Sequence, residues 1–522
     1  MSDPDGPRPK FYITTPIYYP NAEPHLGHVY TTLAADTVAR YHRLAGRDVF
    51  FLTGTDEHGI KMVKTAEAAG VEPRALADQN VEIFQQVWKE LHVTHDDFIR
   101  TSSDRHKAAV GRIVEQLLAS GDIYLGAYEG WYDEGQEEFV TETEAKANEY
   151  KSAISGRPLV RYKEPTYFFR LSKYTSRVLA HIESNPAFVQ PESRRNEVVS
   201  KLRGGVEDLS VSRATLKWGI PMPNDPGHVL YVWIDALSNY ITALGYGSDD
   251  DGRFRRYWPA DVHLIGKEIM WFHTVYWPAM LMSLGLELPK TVFAHGWWTA
   301  EGKKMSKTMG NFVGLEKLRA LVADYGEDAV RYYLLRAAPF GNDLDFSDAD
   351  FARSYKDLSD VLGNLLNRVL KMLNNYRDGQ VPAGAASEDI DHNLARMTEA
   401  LPSQLRAAYE KLELQQACLL PLELARAANG YIEATRPFSL AKDPAQAARL
   451  DTVLNLAARA THVALAAFLP VLPDKAAAGL RQLGVEVAAD SLAPAAARDP
   501  ISPGHRVSQG QPLFPKIEAR KP

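Results

Sequence analysis

The chain has 522 residues, 45% hydrophobic and 24% charged, and carries a net charge of −7 at pH 7. This length exceeds one core and predicts three or four domains of about 150 residues each, while the acidic balance gives no overall signal for nucleic-acid binding and leaves any RNA contact to local basic patches. The single cysteine, Cys418, excludes a disulfide framework and a cysteine-rich zinc site.

The first 115 residues alternate strand and helix patterns. Residues 11–15 are apolar and β-branched, which predicts a short buried strand, and residues 26–44 have the apolar spacing of a helix. A second buried strand is predicted over 48–52, and polar residues follow it at 53–59. Ligands bind beyond the carboxyl ends of the strands in open α/β sheets, so we expect a site there. The pattern predicts the first half of a Rossmann-like sheet within residues 1–115.

This alternation stops at about residue 116. Residues 116–228 combine an aromatic, acidic stretch with a basic one at 194–203, and we expect an insertion with a small fold of its own. Sheet-like patterns at 229–232 and 262–266 predict the second half of the same catalytic sheet, within residues 229–289.

The remainder of the chain is predicted to be mainly helical. Residues 290–350 form a connector with a lysine-rich, glycine-flanked stretch, and residues 351–522 are rich in Ala, Leu and Arg with apolar spacings of three and four. The predicted fold class is therefore α/β: a Rossmann-like parallel sheet split by an insertion and followed by a C-terminal α-helical bundle.

Two histidines stand where a predicted strand and turn lead into the first helix. His25 and His28 are three residues apart and share one helix face, where unpaired N–H groups and the helix dipole favour an anion. Gly27 between them would let a nucleotide approach the backbone. The pair can therefore bind phosphate oxygens, or it can be a capping or surface pair. No Cys or carboxylate follows at the spacing of a zinc site.

The lysine-rich stretch at 302–310 reads as a mobile loop because glycines flank it. Lys304 and Lys307 could clamp the β- and γ-phosphates of ATP as charge builds on the leaving pyrophosphate. Each such contact can be worth about 3 kcal/mol of barrier, and a loop can close when ATP is bound. The alternative is a solvated basic loop.

Together and in this order, the two motifs match the signature pair of the class I aminoacyl-tRNA synthetases. Over nearly its whole length the chain resembles the bacterial methionyl-tRNA synthetases. The matching segments are residues 14–21, 54–59, 231–236 and 265–269, and the pair Phe272 and His273. The resemblance implies activation of methionine with ATP and Mg²⁺ to methionyl-adenylate and pyrophosphate, followed by transfer to the 3′ end of tRNA(Met), including the initiator.

The resemblance also implies roles for individual residues. Catalytic contacts to the phosphates come from His25, His28, Lys304 and Lys307. Further contacts to ATP come from Gly27, Lys267, Glu268 and Ser306. The methionine pocket comprises Ile17, Tyr19, Asp56, Trp233, Ala236, Tyr240, Phe272 and His273. Aromatic rings suit a polarizable thioether, and Asp56 would accept a hydrogen bond from the α-ammonium. The alternatives are core packing for the aromatic residues and a cap or turn role for Asp56.

In this family, anticodon contacts come from positions that correspond to Asn364 and Arg368, four residues apart on one helix face. Relatives usually stack an anticodon base on a Trp that follows a Pro in a later helix, and here Phe438 follows Pro437. Phe can still stack, with less area and no N–H donor.

The chain departs from many relatives in two other ways. Residues 131–136 stand where relatives carry the first Cys pair of a zinc knuckle, and they contain no Cys, so we predict no structural zinc. The sequence also ends soon after residues 512–515 without the oligonucleotide-binding domain of relatives that dimerise, so we expect a monomer. With no signal-peptide core and no apolar run of about 18 residues, we expect a cytoplasmic protein without membrane contact.

Other activities remain as alternatives. A leucyl enzyme should carry a larger editing insertion, and a cysteinyl enzyme would need zinc-ligand cysteines. A small nucleotidyltransferase would lack the helical half. A non-catalytic tRNA-binding paralogue usually loses the His or the Lys motif, and both are intact here.

Overall fold

The computed structural model describes residues 8–136, 138–300, 302–304, 312–487 and 501–515. Strands and helices alternate in the amino-terminal part, as the periodicity predicts. These elements are β1 (Lys10–Tyr18), α1 (Leu26–Leu44), β2 (Asp48–Thr55), α2 (Ile60–Ala69), α3 (Pro73–Glu90), β3 (Asp97–Arg100) and α4 (Asp104–Ala119).

The next part of the chain is mostly antiparallel. Its elements are β4 (Ile123–Asp133), β5 (Glu138–Val140), α5 (Glu142–Ala147), β6 (Val160–Phe169), α6 (Leu171–Ser184), β7 (Val189–Gln190), α7 (Glu192–Arg203), β8 (Leu209–Ser210), β9 (Ser212–Arg213), β10 (Pro221–Met222) and β11 (Asp225–Leu230). Apart from β7, these strands form two sheets. One has four strands in the order β5-β4-β6-β8, and the other has three in the order β10-β11-β9.

Alternating structure then returns. Its elements are α8 (Trp233–Thr242), α9 (Gly252–Tyr257), β12 (Val262–Gly266), a 3₁₀ turn (Lys267–Ile269), a π-helical turn (Phe272–Tyr276), α10 (Trp277–Ser283), β13 (Val292–His295), β14 (Trp298–Ala300), β15 (Lys303–Lys304), α11 (Leu315–Tyr325), α12 (Glu327–Arg336) and β16 (Leu344–Phe346). β14 lies between β15 and β16 in a small sheet of its own.

The rest of the described chain is helical, as the composition predicts. Its elements are α13 (Asp348–Asp357), a π-helical turn (Leu358–Gly363), α14 (Asn364–Arg377), α15 (Asp389–Glu410), α16 (Leu414–Thr435), α17 (Pro437–Leu440), a 3₁₀ turn (Pro444–Gln446), α18 (Ala447–Phe468) and α19 (Pro473–Gln482). Helices α15, α16 and α18 pack against one another.

The central sheet has six parallel strands in the order β3-β2-β1-β12-β13-β7. Strand β1 pairs with β2 on one side, with Phe11 opposite Val49, and with β12 on the other, with Ile13 opposite Val262. The strand order therefore reverses between β1 and β12, which is the arrangement of a doubly wound nucleotide-binding fold. The predicted fold class is confirmed.

Both faces of this sheet are buried, and each belongs to a different core. Phe11 and Ile13 on one face share a core with α1, α12 and the helical part, whereas Tyr12 on the other face shares a core with α4, α8 and α10. Alternate side chains of a strand point to opposite faces, so one short strand connects the two cores. The helical part thus shares one continuous core with α1, the helix that carries the histidine motif, and with one face of the sheet.

The predicted placement of one strand is wrong. Residues 229–232 were expected in the catalytic sheet, but β11 ends at Leu230 and pairs antiparallel with β9 and β10. A short apolar run predicts a strand without specifying its partner. The parallel sheet instead takes β7 as its edge, a two-residue strand from within residues 116–228. The five domain boundaries themselves stay a prediction.

Among the described residues, no helix is both long enough and apolar enough to cross a membrane.

Candidate active site

Residues predicted for the site follow the carboxyl ends of the central strands. The turn after β1 leads to His25, Asp56 follows β2 directly, and Lys267 follows β12. The strand order reverses between β1 and β12, so these residues lie at the edge where open α/β sheets bind ligands.

The two motif histidines cap α1 and contact each other. His25 is the N-cap residue, and its Nδ1 accepts a hydrogen bond from the backbone N–H of Gly27 at 3.1 Å. The backbone N–H of His25 donates to Nδ1 of His28 at 3.3 Å, and the two rings stack with centroids 3.8 Å apart. Since both Nδ1 atoms accept hydrogen bonds, each neutral ring carries its proton on Nε2. The capping interpretation is confirmed, and it orients the Nε2 donors that phosphate binding needs.

His28 is held neutral by its surroundings. Burial and the neighbouring His25 keep the pKa of His28 well below its ordinary value. Its ring packs against those of Tyr18 and Phe84, at centroid distances of 4.8 and 5.5 Å. A Cβ at Gly27 would lie 3.0 Å from Cε1 of His25, so glycine at this position also makes room for the His25 ring.

Two residues that follow the lysine-rich stretch contact the start of α1. The backbone N–H of Leu26 donates to the carbonyl of Val313 at 3.3 Å, and the Phe312 ring meets that of His25 edge-on at 5.9 Å. Near the beginning of the stretch, the Lys304 backbone pairs with Thr299 of β14. Ser306 and Lys307 lie outside the described residues, as does the Lys304 side chain, so their predicted contacts stay predictions.

The predicted pocket aromatics form two contacting pairs. Trp233 at the start of α8 stacks on Phe272 with centroids 3.5 Å apart and planes 9° from parallel. The Tyr240 hydroxyl donates to Nε2 of His273 at 2.7 Å, and Nδ1 of His273 donates to the carbonyl of Ile269 at 3.0 Å. Burial lowers the pKa of His273 to about 4, so the ring is neutral at pH 7.

The other predicted pocket residues lie around these pairs. Ile17 packs against the same core as Trp233, and Tyr19 packs with Trp233 on a small cluster formed by Tyr132, Tyr231 and Val232. Ala236 is buried on α8.

Asp56 is buried directly after β2, and its backbone N–H donates to the carbonyl of Tyr18 at 2.9 Å. Its charge lies near Tyr231, whose pKa is raised well above the ordinary value, first by burial and then by Asp56. The guanidinium of buried Arg213 lies 3.8 Å above the same Tyr231 ring. The sequence analysis did not single out Arg213, because a basic residue in a two-residue strand has no distinctive pattern.

A carboxylate with two imidazole partners lies beside the pocket. Asp235 on α8 accepts from Nδ1 of His58 at 2.6 Å and from Nε2 of His106 at 2.8 Å, and all three side chains are buried. These residues come from three distant segments, so no local pattern could have assembled them.

Lys267 and Glu268 have protein partners in this structure. Lys267 Nζ lies 2.6 Å from Asp343 and 4.1 Å above the Trp297 ring, and Trp297 Nε1 donates to Glu268 at 2.7 Å.

The predicted anticodon residues lie on the helical part. Asn364, the first residue of α14, is exposed, and Nη1 of Arg368 donates to Asn429 at 3.2 Å and to Glu433 at 3.4 Å. Phe438 is the second residue of the short helix α17, and its side chain is 54% exposed.

Hydrogen bonds to Asp133 hold the turn that follows β4. Asp133 accepts hydrogen bonds from the backbone N–H groups of Gly135 and Gln136, at 2.8 and 3.2 Å. Within the described ranges, one group could bring three metal ligands together, His92, Glu327 and Asp474, and it lies outside this turn.

Comparisons with known proteins find relatives over nearly the whole chain. The sequence profile of the family described as tRNA synthetases class I (M) matches residues 11–148 and 143–370. The methionine–tRNA ligase of Caldanaerobacter subterraneus is 48% identical over 518 residues, which cover 98% of this chain and 79% of that relative. The methionine–tRNA ligase of Bacillus subtilis is 46% identical over 532 residues, which cover 98% of this chain and 78% of that relative.

A solved structure shows the same architecture. Mycobacterium tuberculosis methionyl-tRNA synthetase in complex with methionyl-adenylate superposes with a TM-score of 0.92 at 41% identity, over 97% of this chain and all of that one. The apo form of the same enzyme gives a TM-score of 0.86 at 38% identity, over 99% of this chain and 100% of that one.

Proposed function

The chain belongs to the methionyl-tRNA synthetases, a class I family, and from this premise we propose a role for each group at the carboxyl edge of its central sheet. The enzyme activates L-methionine with ATP to methionyl-adenylate and pyrophosphate, and it transfers the methionyl group to tRNA.

In the first step, a methionine carboxylate oxygen attacks the α-phosphorus in line and pyrophosphate leaves. His25 and His28 donate from Nε2 to the phosphates, and Lys304 and Lys307 balance the charge that moves onto the leaving pyrophosphate. The proposal is carried by the contact of Leu26 with Val313, because Leu26 follows His25 directly and Val313 lies three residues after the lysine-rich stretch. Positioning and charge provide the rate, without a covalent enzyme intermediate.

We assign methionine to the pocket of Ile17, Tyr19, Asp56, Trp233, Ala236, Tyr240, Phe272 and His273. The stacked Trp233 and Phe272 rings offer an apolar wall, and the Tyr240–His273 hydrogen bond keeps both polar tips satisfied beside a thioether. Buried Asp56 would accept a charge-assisted hydrogen bond from the α-ammonium.

Nucleotide contacts are assigned to Gly27, Lys267, Glu268 and Ser306. Lys267 and Glu268 directly follow β12 at the switch of strand order, which supports a position near the ribose or phosphates. Mg²⁺ would be held chiefly by the phosphates of ATP, the usual manner for this ion, and would neutralise charge on the pyrophosphate.

Anticodon recognition is assigned to Asn364, Arg368 and Phe438. An exposed ring beside polar side chains suits unpaired bases, which are read by stacking and by hydrogen bonds to their edges. We further propose that the enzyme serves initiator tRNA(Met), is a cytoplasmic monomer and needs no structural zinc. The absence of a need for zinc is supported by the hydrogen bonds from Gly135 and Gln136 to Asp133, which hold the turn at the position of the relatives' first Cys pair.

The test is ATP–pyrophosphate exchange with each standard amino acid, combined with zinc analysis and sedimentation of the purified enzyme. Methionine alone should support exchange, and the protein should sediment as a monomer without stoichiometric zinc. Equal exchange with leucine or isoleucine would contradict the pocket assignment.

A further inference from the structure

One carboxylate connects three elements around the methionine pocket. Asp235 lies in the first turn of α8 with a side chain fully excluded from solvent. Its Oδ2 accepts from His58, which follows β2, and its Oδ1 accepts from His106 on α4. In a neutral His106 ring, Nδ1 then accepts from Thr242 Oγ1 at 2.7 Å, which returns the network to α8.

Both ends of the Asp235–His58 hydrogen bond are adjacent to proposed methionine contacts. His58 is two residues after Asp56, and Asp235 is two residues after Trp233 and next to Ala236. With only one residue between, the backbone transmits a shift of His58 to Asp56 and a shift of Asp235 to Trp233. The bond therefore joins the chain segment that carries Asp56 to the helix that begins with Trp233.

We propose that Asp235 is a positioning residue for methionine, which fixes the separation of Asp56 from Trp233 by bridging His58 and His106. This inference rests on the proposed roles of Asp56 and Trp233. Asp235 does not touch substrate, and its effect reaches methionine through the two segments that it joins.

The chemistry of the bridge favours a positional role over simple packing. A buried carboxylate is costly unless it is fully hydrogen-bonded, and an apolar side chain of similar size would fill the same space. Burial alone would raise the pKa of Asp235, but His58 and His106 outweigh burial and lower this pKa to about 2. The ionised group accepts from two directions at once, which an apolar residue cannot do, and so it sets the geometry of both partners.

Asp235→Ala tests the proposal in the full-length enzyme. Loss of the bridge should raise the methionine KM in ATP–pyrophosphate exchange by about tenfold and leave the ATP KM within about twofold of the wild-type value. Asp235→Asn can still accept from His106 and donate to the other His58 tautomer, so it should restore most of the methionine affinity. Asn also keeps the test available should the Ala variant not fold.

Asp391→Ala is the matched control. Asp391 is equally buried but lies on α15, where it accepts from Tyr431 and Arg449. The Asp391→Ala variant should have a lower Tm and an unchanged methionine KM. A Tm loss in Asp235→Ala with a methionine KM within about twofold of wild type would overturn the proposal and leave Asp235 a structural residue.

Asp56→Ala separates this inference from the pocket assignment. If Asp56→Ala raises the methionine KM and Asp235→Ala does not, only the positioning role fails. If neither variant changes this KM, the pocket assignment fails as well.

Discussion

Arg331 and Asp36 form an ion pair in which both side chains are completely buried, with Nη2 of Arg331 2.7 Å from Oδ2 of Asp36. Arg331 on α12 also donates to the carbonyls of Pro470 and Val471, which follow α18, and to the carbonyl of Leu91. Asp36 lies on α1, the helix that His25 caps. One guanidinium therefore joins the histidine-bearing helix to the helical part of the chain.

Arg331→Met should destabilise the enzyme by about 3–5 kcal/mol, because it leaves Asp36 with a buried charge and fewer partners. Urea denaturation measures the change in the free energy of unfolding. Arg319→Met is the control, since Arg319 pairs with Glu90 at the surface and should cost about 1 kcal/mol or less. Equal losses in the two variants would contradict the structural role of the buried pair.

Lys307→Ala should slow methionyl-adenylate formation by about 100-fold or more without a change in Tm, because it removes a cation that stabilises the leaving pyrophosphate. Pre-steady-state measurement of adenylate formation checks the rate. Lys317→Ala removes a lysine that pairs with Asp348 on the surface, and it should retain the wild-type rate. A normal rate in Lys307→Ala would exclude its phosphate role.

Arg368→Ala should leave ATP–pyrophosphate exchange intact and weaken aminoacylation of tRNA(Met), and Phe438→Ala should do the same by removing about 1–3 kcal/mol of base stacking. Arg396→Ala, on the exposed side of α15, should change neither reaction. The measurement is the KM for tRNA(Met) in the aminoacylation reaction, determined for all three variants. Wild-type charging by Arg368→Ala would refute the anticodon assignment.

Asp328 should make stability fall as pH rises. Burial raises the pKa of this carboxyl to about 7 in the folded enzyme, compared with about 3.9 in an unfolded chain. Between these values the folded state keeps a proton that the unfolded state has lost, so stability that is present below about pH 4 is lost as pH rises through 7. The nearby charges of Asp474 and Glu327 also raise the pKa of Asp328, whereas the Arg331 charge lowers it.

Asp328→Asn should abolish this dependence, because an amide oxygen can still accept from the backbone N–H of Lys475, as Asp328 does at 2.7 Å. The free energy of unfolding at pH 5 and pH 8 should differ by about 2–4 kcal/mol less in the variant than in the wild type. An unchanged difference would show that Asp328 ionises normally in the folded enzyme.

Local pattern predicted the elements that local forces determine. Residues 26–44 were predicted as one helix, and α1 has these bounds, because its apolar spacing and the residues at its ends are encoded in the segment itself. The same holds for β12 at 262–266. For the histidines, capping and phosphate binding were alternatives in the sequence, whereas the capping geometry leaves both Nε2 atoms as donors.

Contacts between residues that are distant in sequence could not be predicted from local sequence patterns. The antiparallel pairing of β11 and the placement of β7 at the sheet edge depend on which strand comes alongside, which a short apolar run does not specify. His58 and Asp235 lie in two segments that carry the family resemblance, but neither was assigned a role, and only the fold brings them into contact with His106. Arg331 resembled any basic helix residue until its burial was known.

The two-residue edge strand β7 has a consequence for anyone who wishes to shorten this enzyme. Its pairing covers the outer side of β13, a strand whose Val292 and Phe293 are buried. Excising the insertion would uncover an apolar ladder with free N–H and C=O groups, the kind of surface on which chains add to one another. A minimal version that keeps every active-site residue would therefore be prone to precipitate unless a charged or proline-bearing strand were engineered along that rim.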